Sequence, residues 1–123
     1  MTHKSMLSGL VIDCKADTVD DAARFWHGVL GGDLEIDEDH KYAFITDQGD
    51  IEVLIQAVDH DPRVHLDISS DDKDAEQARL ERLGAKKIAA IKQWIVLEAP
   101  TGHRFCIVNP QNDEFQDKAK TWT

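Results

Sequence analysis

The chain has 123 residues, 24 of them acidic and 14 basic, for a formal charge of −10. This length suits one domain that buries a core without metal or disulfide staples, and 41% apolar residues in regular blocks argue against a disordered chain. The negative balance excludes nucleic acid as a partner, because Lys86, Lys87 and Lys92 form too thin a basic cluster to override it.

No apolar run approaches the eighteen or so residues that would span a bilayer, and the opening Met-Thr-His-Lys-Ser leads into no signal-peptide apolar stretch, so no membrane partner and a cytoplasmic location are expected. Leu10–Cys14 reads as a strand. Asp17 and Thr18 then offer helix-capping oxygens, with Asp20 and Asp21 in the positive first turn of a helix that runs to Leu30. Ala22, Phe25, Trp26, Val29 and Leu30 make one apolar face, and Gly31-Gly32 permits a left-handed exit. Three extended runs follow, at 34–36, 42–45 and 51–55. The same order then returns, with Val64–Ile68 as strand, Ser70-Asp71-Asp72 as capping cluster and a helix carrying Ala75, Ala78, Leu80 and Leu83. Extended runs at 87–89, 94–97 and 104–108 complete the second copy, and Asp21-Ala22 corresponds to Asp74-Ala75 as Leu30-Gly31 does to Leu83-Gly84.

The expected fold is therefore α+β: two paired βαβββ modules, about 5–58 and 63–110, forming a curved, mostly antiparallel sheet with helices on the convex face and a cleft on the concave one. A polar tail, 111–123, is open between a loose segment, a short helix and a lid. Cys14 and Cys106 sit in apolar strand patterns and are expected as free buried thiols.

Strand alternation sorts the side chains. Val64, Leu66 and Ile68 are expected under a helix, as are Leu10, Ile12, Cys14, Val53, Ile55, Phe105 and Ile107. The opposite parity sends Gly9, Val11, Asp13, Arg63, His65, Asp67, Glu52, Leu54, Gln56, Arg104, Cys106 and Val108 to the cleft, with Tyr42, Phe44, Trp94 and Val96 as walls. His65 stands out, since an imidazole on a polar parity titrates near neutral pH and bonds ligands; a structural histidine held by Asp67 or Asp13 is the plainer alternative. Cys106 would need Arg104 or His65 nearby to act as a nucleophile. Asp13, Asp67 and Glu52 could form a carboxylate set for proton transfer, although strand-end acids commonly face solvent.

Four segments carry a resemblance: Ala22–Trp26 ending in Leu30-Gly31-Gly32, Arg63–Asp67, Ala78–Leu80 through Leu83-Gly84-Ala85, and Ala99–Val108. Together they resemble the vicinal oxygen chelate superfamily, in particular its glyoxalase-like domains related to glyoxalase and bleomycin-resistance proteins. The resemblance implies a homodimer with a ligand or metal in the cleft, and places metal ligands at Val11, Leu54, His65 and Cys106. Two of these are apolar, whereas a catalytic divalent ion needs about three donors. The expected function is therefore binding of a small organic molecule through His65, Asp67, Cys106, Glu52, Gln56, Arg104 and Trp94, with no cofactor and an incomplete metal site. Two alternatives stand beside it: a metal-dependent lyase, isomerase or dioxygenase using His65 and Cys106, and a drug-sequestering protein of the bleomycin-resistance kind.

Overall fold

A computed structural model describes residues 2–110 and 113–123; the start of the polar tail, Gln111 and Asn112, lies outside the described residues. The elements run β1 (His3–Lys15), α1 (Asp20–Leu30), β2 (Leu34–Ile36), β3 (Tyr42–Ile45), β4 (Glu52–Val58), β5 (Arg63–Ser70), α2 (Lys73–Arg82), β6 (Lys86–Ile91), β7 (Trp94–Glu98), β8 (Arg104–Val108), α3 (Phe115–Lys118) and β9 (Lys120–Trp122). The strand–helix–three-strand order expected of each half is present twice. The class is mixed α+β, with mostly antiparallel pairings and three helices among the described residues. The chain divides into two compact units, one comprising Gly9–His65 and the other the chain up to Ser8 with Leu66 onward.

In the Gly9–His65 unit, β1 runs parallel to β4, with β3 and then β2 added antiparallel beyond it. Val19, Ala23, Ala43, Ile45 and Ile55 form its core, joined by Ile12, Cys14, Ala22, Trp26, Leu34, Ile36 and Ala57. The side of β1 and β4 expected under a helix is thus the side that packs on α1. The helix itself differs from its sequence pattern. Its N-cap is Val19, without a side-chain cap from Asp17 or Thr18, although Asp20 and Asp21 occupy the first turn as expected. Its buried arc centres on Ala22, Ala23 and Trp26, where the small alanines let the backbone approach the sheet; Phe25 and Val29 lie beyond that arc and are exposed. Gly32 (φ +85°) closes the helix where a Cβ would stand 2.0 Å from the Thr46 carbonyl oxygen, so any side chain there would force the β2–β3 region apart.

In the other unit, β5 pairs parallel with β8, and β7 and β6 follow antiparallel. Ile95, Leu97 and Ile107 pack with Phe105, Ala85 and Leu80 of α2. Asp72 caps α2, accepting from the Ala75 N–H at 3.0 Å, as the capping cluster implied. Leu66, expected under a helix, is instead 41% exposed, and so is Val64 at 56% in the first unit. The buried end of β5 is polar: Ser69 and Ser70 donate to the carbonyls of Met6 (3.5 Å) and Lys4 (2.9 Å) on β1.

The described part of the tail is ordered. β9 pairs antiparallel with His3–Ser5 of β1, and Trp122 Nε1 donates to Ser5 Oγ at 2.8 Å. Beneath it α2 buries a carboxylate, not only alanines and leucines. Glu76 is fully buried and receives Arg79 through two bonds of 2.8 Å and His3 at 2.8 Å, while the Arg79 guanidinium lies 3.8 Å from the Trp122 ring centroid. Burial alone would raise the Glu76 carboxyl, but hydrogen bonds from Arg79, His3 and Ser5, with the Arg79 charge, outweigh it and hold the group down at about 2.

A carboxyl lowered in the folded state stabilises the fold above its unfolded value, near 4.5, and that contribution fades as pH falls toward about 2. Glu76→Gln should therefore lose on the order of 3 kcal/mol at neutral pH and show a flatter loss of stability in acid than the native chain. Urea unfolding at pH 7 and pH 3 checks this; equal acid limbs would remove Glu76 from the account.

Candidate functional site

Residues opposite one another on adjacent strands share a face of the sheet. Since Ile12, Cys14, Ala43, Ile55 and Ala57 meet α1, the alternate positions of the Gly9–His65 unit form the face turned away from that helix. Register arranges them in three rows: Asp13, Gln56 and Tyr42; Val11, Leu54 and Phe44; Gly9 and Glu52. An apolar strip thus lies between a polar row and an acid.

The polar row is the more developed. Gln56 Nε2 donates to the Tyr42 hydroxyl at 3.2 Å. Asp13 is 3% exposed, and its Oδ2 accepts from His65 Nδ1 at 2.9 Å. Arg63 Nε approaches the same oxygen at 3.7 Å and His60 Nε2 at 3.9 Å. His60 meets the Asp61 carbonyl through Nδ1 at 2.8 Å, and Arg63 lies 3.3 Å from its Nε2. Asp13 Oδ1, also buried, has no hydrogen-bond partner. At the other margin, burial holds the Glu52 carboxyl above its usual range.

In the second unit, the face away from α2 carries Asp67 opposite Cys106, and Cys106 opposite Val96. Arg104 and Trp94 share that parity. Arg104 is held by Glu98 at 3.3 Å, and Lys92 lies 5.8 Å from the Trp94 ring. The division between units falls inside β5, directly after His65. Asp67 and Cys106 thus offer a carboxylate oxygen and a thiol from neighbouring strands of the second unit. Of the four positions implied by resemblance for a metal, Val11 and Leu54 supply no donor, and His65 and Cys106 belong to different units.

Among the residues singled out from sequence, Glu52 and Gln56 share one helix-free face with Asp13, while Asp67, Cys106, Arg104 and Trp94 share another. The choice of Asp13 over Asp67 as the partner of His65 Nδ1 was not readable from sequence, nor was the approach of Arg63 and His60. All depend on how β1 and the segment 60–65 meet, for which alternation gives parity but no register. Both cysteines are free; Cys106 is buried as expected, whereas Cys14 is only partly buried. Cys14 packs toward α1, where burial, with the neighbouring Asp13 charge, raises its thiol despite a backbone hydrogen bond that lowers it.

The repeated βαβββ order and the helix-free faces are those of the vicinal oxygen chelate superfamily. Within it, the chain belongs to the glyoxalase-like domain family, whose model matches residues 9–108. Solved structures agree in fold. A hypothetical protein from Bacillus halodurans superposes with a TM-score of 0.65 at 13% identity, covering 89% of this chain and 96% of that one. Methylmalonyl-CoA epimerase from Streptomyces coelicolor gives 0.58 at 15% identity, covering 86% and 97%. The Mn(II)-bound glyoxalase from Novosphingobium aromaticivorans gives 0.59 at 18% identity over 91% of this chain and 43% of that one. No curated protein matches in sequence. No helix among the described residues is long and apolar enough to cross a membrane.

Iodoacetamide at neutral pH should label Cys14 and Cys106 far more slowly in the folded protein than in a urea-unfolded control. Fast labelling of Cys106 in the native state, followed by mass spectrometry, would contradict its 7% exposure.

Proposed function

We propose that this glyoxalase-like domain binds a small organic molecule with an apolar body on the helix-free face of the Gly9–His65 unit, with His65 as the principal polar contact. The observation that carries this is the juxtaposition of an apolar strip, Leu54 and Phe44 beside the buried Val11, with a row of fixed polar groups, Asp13–Gln56–Tyr42, beside His65. A mostly apolar surface with a few convergent polar groups is the usual make-up of a small-molecule site. Glu52, kept above its usual carboxylate range by burial, supplies a group able to exchange a proton at the far margin. The reading includes the homodimer that the resemblance implies and the cytoplasmic location expected from the sequence. Sequestration of a cationic drug, the alternative that resemblance raises, is supported by the net charge of −10 alone.

A second reading rests on the resemblance, which implies His65 and Cys106 as metal ligands. A divalent ion held there would polarise an oxygen of a bound molecule, as in the lyase, isomerase and dioxygenase alternatives. In that case Asp13 holds the imidazole by its other nitrogen, the arrangement by which a carboxylate orients a metal-binding histidine.

Amide-resolved NMR titration with a fragment set tests the first reading. Shifts should concentrate at Val11, Phe44, Leu54 and Gln56, and His65→Ala should weaken binding about tenfold. A ligand at 100 times its dissociation constant should also add about 2.7 kcal/mol of stability. Shifts that cluster elsewhere, or unchanged affinity in the variant, reject it. For the second reading, protein purified without chelator or affinity metal should carry about one equivalent of a d-block ion, lost in Cys106→Ala; native protein that retains none after dialysis against zinc, manganese, nickel and iron(II) rejects it.

A further inference from the structure

Two charged groups mark the polar end of the face described above, and they differ in access: Asp13 is buried, whereas the Arg63 side chain is 44% exposed. We propose that Arg63 sets the charge preference of this face, and that the molecule it takes is a small organic monocarboxylate, with its apolar body on Leu54 and Phe44 and its carboxylate on the Arg63 guanidinium. This rests on the small-molecule reading above and adds the class of ligand to it.

Register places the guanidinium. Asp13 lies in the row with Gln56 and Tyr42, and Arg63 Nε stands 3.7 Å from Asp13 Oδ2, so the arginine is drawn to that row without a hydrogen bond to the acid. Its other polar contact among the described residues is Nη2, 3.3 Å from His60 Nε2. A guanidinium carries five N–H donors and no acceptor, so most of the Arg63 fork is left for solvent or a bound group. An ionised carboxylate matches such a fork with two parallel bonds.

The surrounding charges favour an anion at this end. An incoming molecule meets Arg63 and His60, whose side chains are 44% and 37% exposed, rather than Asp13, whose side chain is 2% exposed. A cation would be set against the guanidinium, with the buried carboxylate out of direct reach. Of the acids in the loop before β5, Asp61 stands 3.8 Å from Lys15, and no ion pair joins Asp59 to Arg63. Glu52 is four residues from Gln56 along β4, about 13 Å, beyond the screening length of about 8 Å at physiological salt, and its burial favours the neutral form. The same screening weakens the pull of the net charge of −10, which leaves the guanidinium in contact to decide. One guanidinium balances one negative charge, hence a monoanion. Leu54 lies two residues from Gln56, about 7 Å, a spacing suited to a body of one ring.

Phenylacetate, phenylacetamide and phenethylamine share a benzyl body and carry a negative, a neutral and a positive end. They are the probes, titrated against the full ¹⁵N-labelled chain at neutral pH in about 0.15 M salt. Phenylacetate should bind about tenfold more tightly than phenylacetamide, with the amine weakest, and should shift the Arg63 Nε–H signal together with the amides of Phe44, Leu54 and Gln56. Arg63→Gln should cut the preference for acid over amide to about twofold or less. Arg63→Lys, which keeps the charge but loses the fork, should show an intermediate preference. Equal affinities for acid and amide in the native chain, tighter binding of the amine, or a tenfold preference that survives Arg63→Gln overturns the carboxylate assignment and leaves the small-molecule reading in place. Phenylacetate shifts confined to other residues overturn the assignment as well. If none of the three probes moves the face, the small-molecule reading fails and the ligand class fails with it.

Discussion

The parallel register that sets Asp13 beside Gln56 and Val11 beside Leu54 governs the first unit. Side chains alternate along a strand, so a slip of one residue would turn Ile12, Cys14 and Ile55 away from α1 and drive Asp13 into the cluster of Val19, Ala23, Ala43 and Ile45. A carboxylate has no partner in such a cluster, and an unpaired buried charge is among the costliest features a core can carry. The core thus fixes the register, and the register delivers the helix-free face as a by-product of packing. The same logic holds on β5 and β8, where Ile107 packed with Leu80 leaves Asp67 and Cys106 opposite each other on the other side.

Two buried carboxylates show how differently this chain treats buried charge. Glu76 is saturated: two bonds from Arg79, one from His3, and a Trp122 ring over the guanidinium close the group off. It is a structural device that ties the N-terminal strand, α2 and the C-terminal strand together. Asp13 is half satisfied, with one oxygen on His65 and the other without a partner. Native cores rarely leave a polar atom in that condition, and here it sits beside the His65 imidazole.

Fold alone does not select the chemistry. An epimerase and a manganese-bound glyoxalase share this architecture at 15% and 18% identity, so their reactions differ in the side chains placed on it. In this chain the positions that resemblance marks for metal ligands carry Val11 and Leu54 in the first module, and His65 and Cys106 in the second. Register sets Val11 beside Leu54, an apolar pair where two ligands would stand.

The sequence by itself determined the duplication, the order of elements, the helix-free parity of Glu52, Gln56, Asp67 and Cys106, and the family, because each is written in local periodicity and in turn and capping residues. It did not determine that Phe25, Val29 and Leu66 stay exposed, since apolar spacing marks a helix or strand face without saying how much of it a neighbour covers. It gave no sign of the burial of Glu76 or of the pairing of β9 with β1, both of which join residues more than seventy positions apart. The contact of His65 Nδ1 with Asp13 was likewise a tertiary decision, because it joins residues fifty-two positions apart on different strands and alternation gives parity without register.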